Sequence, residues 1–268
     1  MLGEIRKERL KKLEKIKNPF PATVHKDWRK GRILSIREHG GSIFADISTP
    51  EGVQQIFLSK DKINKKFFEF KDNLDIGDII EVKGEHFTTK AGQDTIDVFD
   101  FAVLAKALRP LPQEWFGLKN KETRFRKRYL DILTNNEVKD IFLKRAEIIK
   151  TIRAFLDENS FVEVETPILQ PLYGGATARP FKTHLNALDM DLFLRIAPET
   201  YLKQCVIGGF DRVFELGRVF RNEGLDPSHL QDFTMLEYYC AYWNYEDNMA
   251  FTERLLCETV TAMLADGL

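Results

Sequence analysis

The chain has 268 residues, 43% hydrophobic and 30% charged, with a net charge of −1 at pH 7. Its 21 Phe, 7 Tyr and 3 Trp can fill a sizeable core, which excludes a disordered chain, and 16 Gly and 10 Pro without a period exclude a collagen-like one. No apolar stretch approaches the roughly 18 residues of a membrane span, and the charged start MLGEIRKERLKKLEKIK lacks a secretory apolar region. At roughly 150 residues per domain, two domains are expected.

Residues 1–17 carry seven Lys/Arg against three Glu and read as a short basic helix closed by Asn18-Pro19. Such a helix can touch phosphates or simply be solvated. Residues 28–104 change character. Short β-rich runs at Arg32–Arg37, Ile43–Ile47, Gln54–Leu58, Ile79–Glu85 and Thr95–Leu104 are separated by Gly-containing turns. A helical stretch near Lys60–Glu69 falls between the third and fourth runs. Five strands with a helix after the third predict an OB-fold barrel, a fold that binds nucleic acid, although another small Greek-key barrel has a similar pattern.

Residues 109–120, RPLPQEWFGLKN, read as a linker stiffened by two prolines. From 121 onward the pattern is mixed α and β. A long amphipathic helix is expected over Asn136–Asn159, with Val138, Ile141, Phe142, Ala146, Ile149, Ile152 and Phe155 near helical spacing. Strands follow at Phe161–Thr166, ending at Pro167, and at Phe193–Ile196, then a helix at Pro198–Ile207. Two strands, Val213–Arg221 and Phe233–Ala241, flank the polar loop 222–232, and a last helix spans Glu246–Leu264. Cys205, Cys240 and Cys257 form no CxxC pair, so buried free thiols in a reducing, cytoplasmic setting are expected. The five His residues sit at no zinc-ligand spacing, and no metal site is predicted.

Charge is segregated. Residues 109–128 hold seven Lys/Arg against two Glu, whereas 221–268 hold two Arg against nine Asp/Glu. That fits a polyanion at one end and a cationic ligand at the other, or merely solvated helix faces. The densest chemistry lies at Phe220-Arg221-Asn222-Glu223, His229 and Phe233 to Tyr239. Strand alternation would project Arg221 with Glu223, and Glu237 with Tyr239. If the strands pair, a guanidinium suited to gripping phosphate, two carboxylates and a phenol crowd one surface. A plain hairpin with cross-strand ion pairs is the alternative.

Long stretches carry a family resemblance: KALRPLP (106–112), RYLDIL (128–133), VEVETPIL (162–169), GGATARPF (174–181), LRIAPETYLK (194–203), GGFDRVFELGRVFRNEG (208–224) and DFTMLEYY (232–239). On these motifs the chain resembles class II lysyl-tRNA synthetases over nearly its whole length. The Phe-Arg-x-Glu hairpin alone would also suit aspartyl or asparaginyl enzymes; GGATARPF and RIAPETYLK point to lysine.

The resemblance implies an OB-fold anticodon-binding domain over 21–108, behind the basic helix at 1–20. After the linker it implies an incomplete α+β class II catalytic domain with an antiparallel sheet over 121–268. It implies ATP, lysine and tRNA-Lys as substrates. Arg221 would hold the ATP α-phosphate and the amino-acid carboxylate, Glu223 the adenine amino group, and His229 the distal phosphates. Phe233 would stack on adenine with Met235 beside it. Gly175, Glu199, Glu237 and Tyr239 would form the lysine pocket. A buried ammonium offers three donors and needs anions or acceptors in place of water, which two carboxylates and a phenol supply. Glu199 could otherwise be a solvated acid at a helix N-terminus.

In the barrel, Phe44 would stack on an anticodon base while Arg37, Gln55 and Asp100 read base edges, unless Phe44 belongs to the core. A homodimer through Asn136 to Pro167 is implied as well. The family's third motif, Gly-Φ-Gly-Φ-x-Arg, is not found in the sequence, and the Mg²⁺ ligands expected near it are missing too. Ser228 and Leu230-Gln231 stand where the family often has Arg and Asn-Pro. The expectation is therefore the N-terminal part of a synthetase, unable by itself to exchange pyrophosphate. The alternatives are a tRNA-binding protein without catalysis and one half of a split enzyme.

Overall fold

A computed structural model describes residues 2–16, 19–21, 24–112, 118–224, 226 and 228–265. The middle of the expected linker, 113–117, lies outside the described residues, as do 17–18 and the last three positions. Two compact units divide the chain, Met1–Asn136 and Glu137–Leu268.

The first unit opens with helix α1 (Leu2–Lys15). A closed barrel follows, built from β1 (Arg29–His39), β2 (Ser42–Thr49), β3 (Gly52–Ser59), β4 (Ile79–Thr88) and β5 (Asp94–Ala105). Its strand order is β1-β2-β3-β5-β4. Only the β3–β5 pairing is parallel. The expected helix after β3 is present but divides at Asn64 into α2 (Lys60–Ile63) and α3 (Lys65–Asn73). Alternate residues turn inward, so Ile43, Ala45 and Ile47 of β2 are buried with Ile33, Ile56, Leu58, Ile80 and Val98. Phe67 and Phe70 of α3 add to the same core. At Gly84 the register shifts, and a Cβ there would lie 2.3 Å from the Asp97 carbonyl oxygen.

Leu13 at the end of α1 and Ile16 just beyond it pack on the barrel core, and polar contacts add to the seating of α1. Arg9 is 8% exposed, and its guanidinium donates to the carbonyl oxygens of Ala107 (2.7 Å) and Ile76 (3.3 Å). Lys12 pairs with Asp75 at 2.8 Å. The wholly buried Lys106 ammonium bridges Asp75 and Asp78, each at 2.6 Å. Two short helices absent from the sequence reading, α4 (Lys121–Arg126) and α5 (Arg128–Thr134), close this unit. Asn120 caps α4 by accepting from the Thr123 N–H, and buried Asp131 accepts from Arg124 and Arg128.

The second unit begins with α6 (Asn136–Glu158). Strand β6 (Val162–Glu163) pairs parallel with β10 (Arg212–Phe220), which pairs antiparallel with β11 (Asp232–Cys240). A smaller sheet joins β7 (Leu169–Gln170), β9 (Met190–Leu194) and β8 (Lys182–Leu185). Helices α7 (Glu199–Ile207) and α8 (Tyr245–Ala265) complete the unit. Phe155, Leu156, Phe161, Phe214, Phe251 and Leu255 form its core, with Leu216, Leu236 and Tyr238 packed against them.

Three expectations are corrected. The strand predicted over Phe161–Thr166 shortens to two residues, because the Thr166 N–H and hydroxyl both donate to the Glu215 carboxylate instead of extending a ladder. The apolar residues at helical spacing on α6 do not share one environment: Val138 and Phe155 are buried, whereas Ile141 and Phe142 are 63% and 48% exposed. The three cysteines are free, but none is buried: Cys205 and Cys240 are partly exposed and Cys257 is exposed.

Candidate functional site

The β10–β11 pair has two distinct faces because residues two apart share a side. Phe214, Leu216, Leu236 and Tyr238 turn to the aromatic core. The opposite face therefore carries Phe233, Met235, Glu237 and Tyr239 on β11, paired with Val219, Gly217, Glu215 and Val213 on β10. Val213 and Val219 are fully buried there, so this face is covered as well.

Two further segments come to that face. The Phe220 N–H donates to the Arg195 carbonyl, and Arg221 Nε points to the Ile196 carbonyl at 3.5 Å. The Asn222 N–H donates to the Arg179 carbonyl at 2.8 Å, which ties the loop 174–181 to the end of β10. Gly175 in that loop has φ +85°, and a Cβ on it would meet the Glu199 Cβ at 2.7 Å and the Ala197 Cβ at 3.1 Å. Only glycine allows that backbone so close to α7. The Arg221 guanidinium lies 5.2 Å from the centre of the Phe233 ring.

The electrostatics are those of crowded anions. Burial pushes the Glu237 carboxyl above the usual range, the neighbouring Glu199 charge adds to the rise, and Lys203 and Arg221 oppose it. Burial, then Glu237 and Glu199, raise the Tyr239 phenol as well, so it stays protonated. Lys203 pairs with Glu199 at 2.7 Å, while Glu237 Oε2 is buried with no hydrogen-bond partner in the structure. A buried carboxylate oxygen left unpaired is costly unless something arrives to pair with it.

On this same face lies a buried ion pair that the sequence reading did not find. Arg195 and Glu215 are 2% and 4% exposed and are joined by a salt bridge. Arg195 also donates to the Arg218 carbonyl (2.8 Å) and to Thr166, whose hydroxyl reaches Glu215 at 2.6 Å. A side chain at Gly217 would lie 2.4 Å from the Arg195 guanidinium. The pair thus locks β10 to the segment before Pro167 and to the end of β9. No local sequence signal marks it, since its members stand 20 residues apart.

Gly175, Glu199, Arg221, Phe233, Glu237 and Tyr239 therefore gather, with Met235 on the same face. Two residues do not join them. Glu223 is exposed, and since β10 ends at Phe220 the strand alternation used to pair it with Arg221 does not apply. His229 stays on the exposed loop, where its ring pairs with Asp226 at 2.6 Å. Backbone N–H groups of Ser228 and His229, together with the His229 ring, hold the Asp226 carboxyl below its ordinary value.

The barrel carries a second constellation. Phe44 is half-buried on the outer surface, outside the core. Its ring centre lies 4.8 Å from that of Phe57, which in turn contacts Phe87 at 5.9 Å. Beside the rings, Asp46 accepts from Arg37 (2.9 Å), Ser35 (2.5 Å) and Gln55 (3.5 Å). Gln55 Oε1 then accepts from Thr95. Arg37, Phe44 and Gln55 thus share one patch of stacked rings and polar groups. Asp100 is not hydrogen-bonded into it: past the bulge of β5 it pairs with Lys66 of α3.

Among the described residues, no group of three or more His, Cys, Asp or Glu is placed to hold a metal ion. These residues do not compose a Mg²⁺ site. No described helix is long and apolar enough to cross a membrane.

Comparison with known proteins matches both halves. A family model for tRNA synthetases class II (D, K and N) covers residues 120–267, and one for an OB-fold nucleic acid binding domain covers 28–111. A lysine–tRNA ligase of Thermoanaerobacter pseudethanolicus is 53% identical over 84% of this chain and 45% of its own length. That of Syntrophomonas wolfei is 44% identical over 95% of this chain and 56% of its own. That of Methanoculleus marisnigri is 48% identical over 94% and 51%. The chain spans about half the length of these curated relatives.

Proposed function

The chain belongs to the class II tRNA synthetases (D, K and N), and from that premise we propose that it carries the lysine and adenylate site of a lysine–tRNA ligase, joined to a tRNA-Lys anticodon-binding barrel. The observation that carries the reading is the unpaired Glu237 oxygen beside Glu199, Tyr239 and Arg221. Two carboxylates and a phenolic oxygen replace the water around a lysine ammonium, and a neutral side chain would leave them unpaired.

In the proposed reaction a lysine carboxylate oxygen attacks the α-phosphorus of ATP in line. The bond to the bridging oxygen breaks, and pyrophosphate leaves. Arg221 neutralises charge that builds on the α-phosphate, and Phe233 offers its ring to adenine, with Met235 beside it. A terminal ribose hydroxyl of tRNA then attacks the lysyl carbonyl and releases AMP. Glu223 on the adenine amino group and His229 toward the distal phosphates are proposed contacts.

Arg37, Phe44 and Gln55 read the anticodon from the outer barrel surface, and Asp100 joins them on exchanging Lys66 for a base. The exposed Ile141, Phe142 and Leu143 of α6 support a homodimer contact within Asn136 to Pro167. The setting is the cytoplasm.

Calorimetric titration of the purified chain tests the first half. L-Lysine and a non-hydrolysable lysyl-adenylate analogue should bind while leucine does not; equal binding of leucine, or none of lysine, refutes the reading. For the barrel, Phe44→Ala should weaken tRNA-Lys binding by about 1–3 kcal/mol with little loss of fold stability. Unchanged affinity would remove Phe44 from the interface.

A further inference from the structure

On the outer surface of the barrel a single carboxylate ties together the groups proposed to read bases. Register places Ser35, Asp46, Gln55 and Thr95 in one cross-strand row over β1, β2, β3 and β5. Arg37 and Phe44 pair in the next row, two residues along their strands. Asp46 takes both ends of the Arg37 fork, with Nη1 at 2.9 Å and Nη2 at 3.2 Å. The Ser35 hydroxyl donates to the same carboxylate at 2.5 Å, and Gln55 Nε2 faces it at 3.5 Å. Ser35, Gln55 and Thr95 are buried, so water offers them no ready substitute.

We infer that Asp46 is a specificity-determining positioning residue of the barrel: it orients Arg37 and Gln55 so that both turn N–H donors to a bound base. This deepens the anticodon-reading proposal and rests on it. A carboxylate at neutral pH only accepts, so the Gln55 amide must put its nitrogen, and not its oxygen, toward Asp46. Thr95 cannot impose that choice. Its hydroxyl donates to Gln55 Oε1 at 2.9 Å, yet it can equally turn to the Gln93 carbonyl at 3.3 Å and accept from the amide. Asp46 does not use up the groups it orients. The bidentate pair takes one hydrogen from each Nη of Arg37 and leaves the other donors of the guanidinium free, and the Gln55 nitrogen keeps its second hydrogen.

Beside the Phe44 ring the patch therefore meets a base with donors. It favours a base edge that presents a carbonyl oxygen over one that presents an amino group, whose hydrogens would face N–H hydrogens. Uracil and cytosine differ in this way, with an oxygen on one and an amino group on the other at the same ring position. A plainer role exists for Asp46, that of a cross-strand ion pair serving the sheet alone. The two roles part company on RNA. Removing an anion from a surface that meets a polyanion strengthens the binding of every RNA alike, whereas loss of orientation lowers the preference for one base over another.

The experiment compares the full chain with Asp46→Asn and Asp46→Ser, which put a group that both donates and accepts where the carboxylate only accepts. Circular dichroism checks folding, and either variant serves if the other does not fold. Fluorescence anisotropy measures binding of an anticodon stem-loop RNA of tRNA-Lys, and of versions in which each anticodon uracil is replaced in turn by cytosine. At one position the parent should prefer uracil by about tenfold, and the variants by about threefold or less, with the cytosine RNA bound as tightly as before or more so. In parallel, nitrogen NMR relaxation follows the Gln55 side-chain amide and Arg37 Nε, assigned with Gln55→Ala and Arg37→Ala. Their order parameters should fall in both variants. If the parent prefers uracil and a folded variant keeps the ratio, the inference is overturned while the anticodon reading stands. If the parent binds no stem-loop, or binds all of them equally, the anticodon reading fails, and the relaxation data still judge Asp46: unchanged order parameters overturn the inference, and lowered ones support its orienting role.

Discussion

Glu237 is held in the fold at some cost, and its chemistry shows where that cost falls. Burial and Glu199 raise its pKa, so the folded chain holds the Glu237 proton more tightly than the unfolded chain does. Stability from that proton is present at low pH and is lost as pH rises through the folded value. Glu237→Gln should therefore melt at a higher temperature than the parent at about pH 8, with the difference closing near about pH 4, where both states are protonated. The same variant should lose lysine binding. A variant that is less stable than the parent at the higher pH would mean that Glu237 serves the fold rather than a ligand. At this scale the sequence was informative: Glu237 and Tyr239 share a face by simple alternation, and Glu199 and Lys203 stand a helical turn apart. Glu223 shows the limit, since alternation fails one residue past the strand end.

Strands β10 and β11 act as a single element with one face for packing and one for chemistry. Their register sets Gly217 against Met235, and the missing side chain there leaves room for the Arg195 guanidinium below. Gly217→Ala would drive a methyl into that guanidinium and disturb a buried ion pair whose disruption costs roughly 3–5 kcal/mol. The expected result is a large drop in the denaturation midpoint of the second unit, with the barrel unit unaffected. A loss below about 1 kcal/mol would show that Arg195 moves aside freely. Nothing in the run VFELGRVF marks this glycine, because its constraint comes from Arg195 on another element. The shortened β6 has the same origin, with Glu215 capturing the Thr166 N–H.

Across the whole molecule the two units settle their charge differently. In the first, Asp75 and Asp78 enclose the buried Lys106, and Lys12 ties α1 to the same cluster. Burial alone would raise Asp75, but hydrogen bonds from Lys106 and then Lys12 hold its carboxyl below the usual value. Its contribution is therefore complete above the unfolded carboxylate value and is lost as pH falls through the lower folded one. Lys12→Met should cost about 0.5–1 kcal/mol at neutral pH, and the cost should shrink as pH falls through the lowered Asp75 value. Equal stability at neutral pH would show that the Lys12–Asp75 pair does not help to seat α1. In the second unit the anions stay unbalanced at Glu237, which is where a ligand's charge is proposed to enter.

By itself the sequence determined what depends on near neighbours. The run Ile43–Ile47 is a strand whose alternate residues enter the barrel core, Glu237 and Tyr239 share a strand face, and turn glycines separate the strands. Tertiary structure decided what depends on distant ones. It brought Gly175 against Glu199, set Glu199 and Lys203 beside Glu237, buried Arg195 with Glu215, and drew Asp100 to Lys66. The physical reason is that backbone geometry repeats over two to four residues, so its consequences can be read along the chain. Desolvation and Coulomb forces act between groups that only folding brings near.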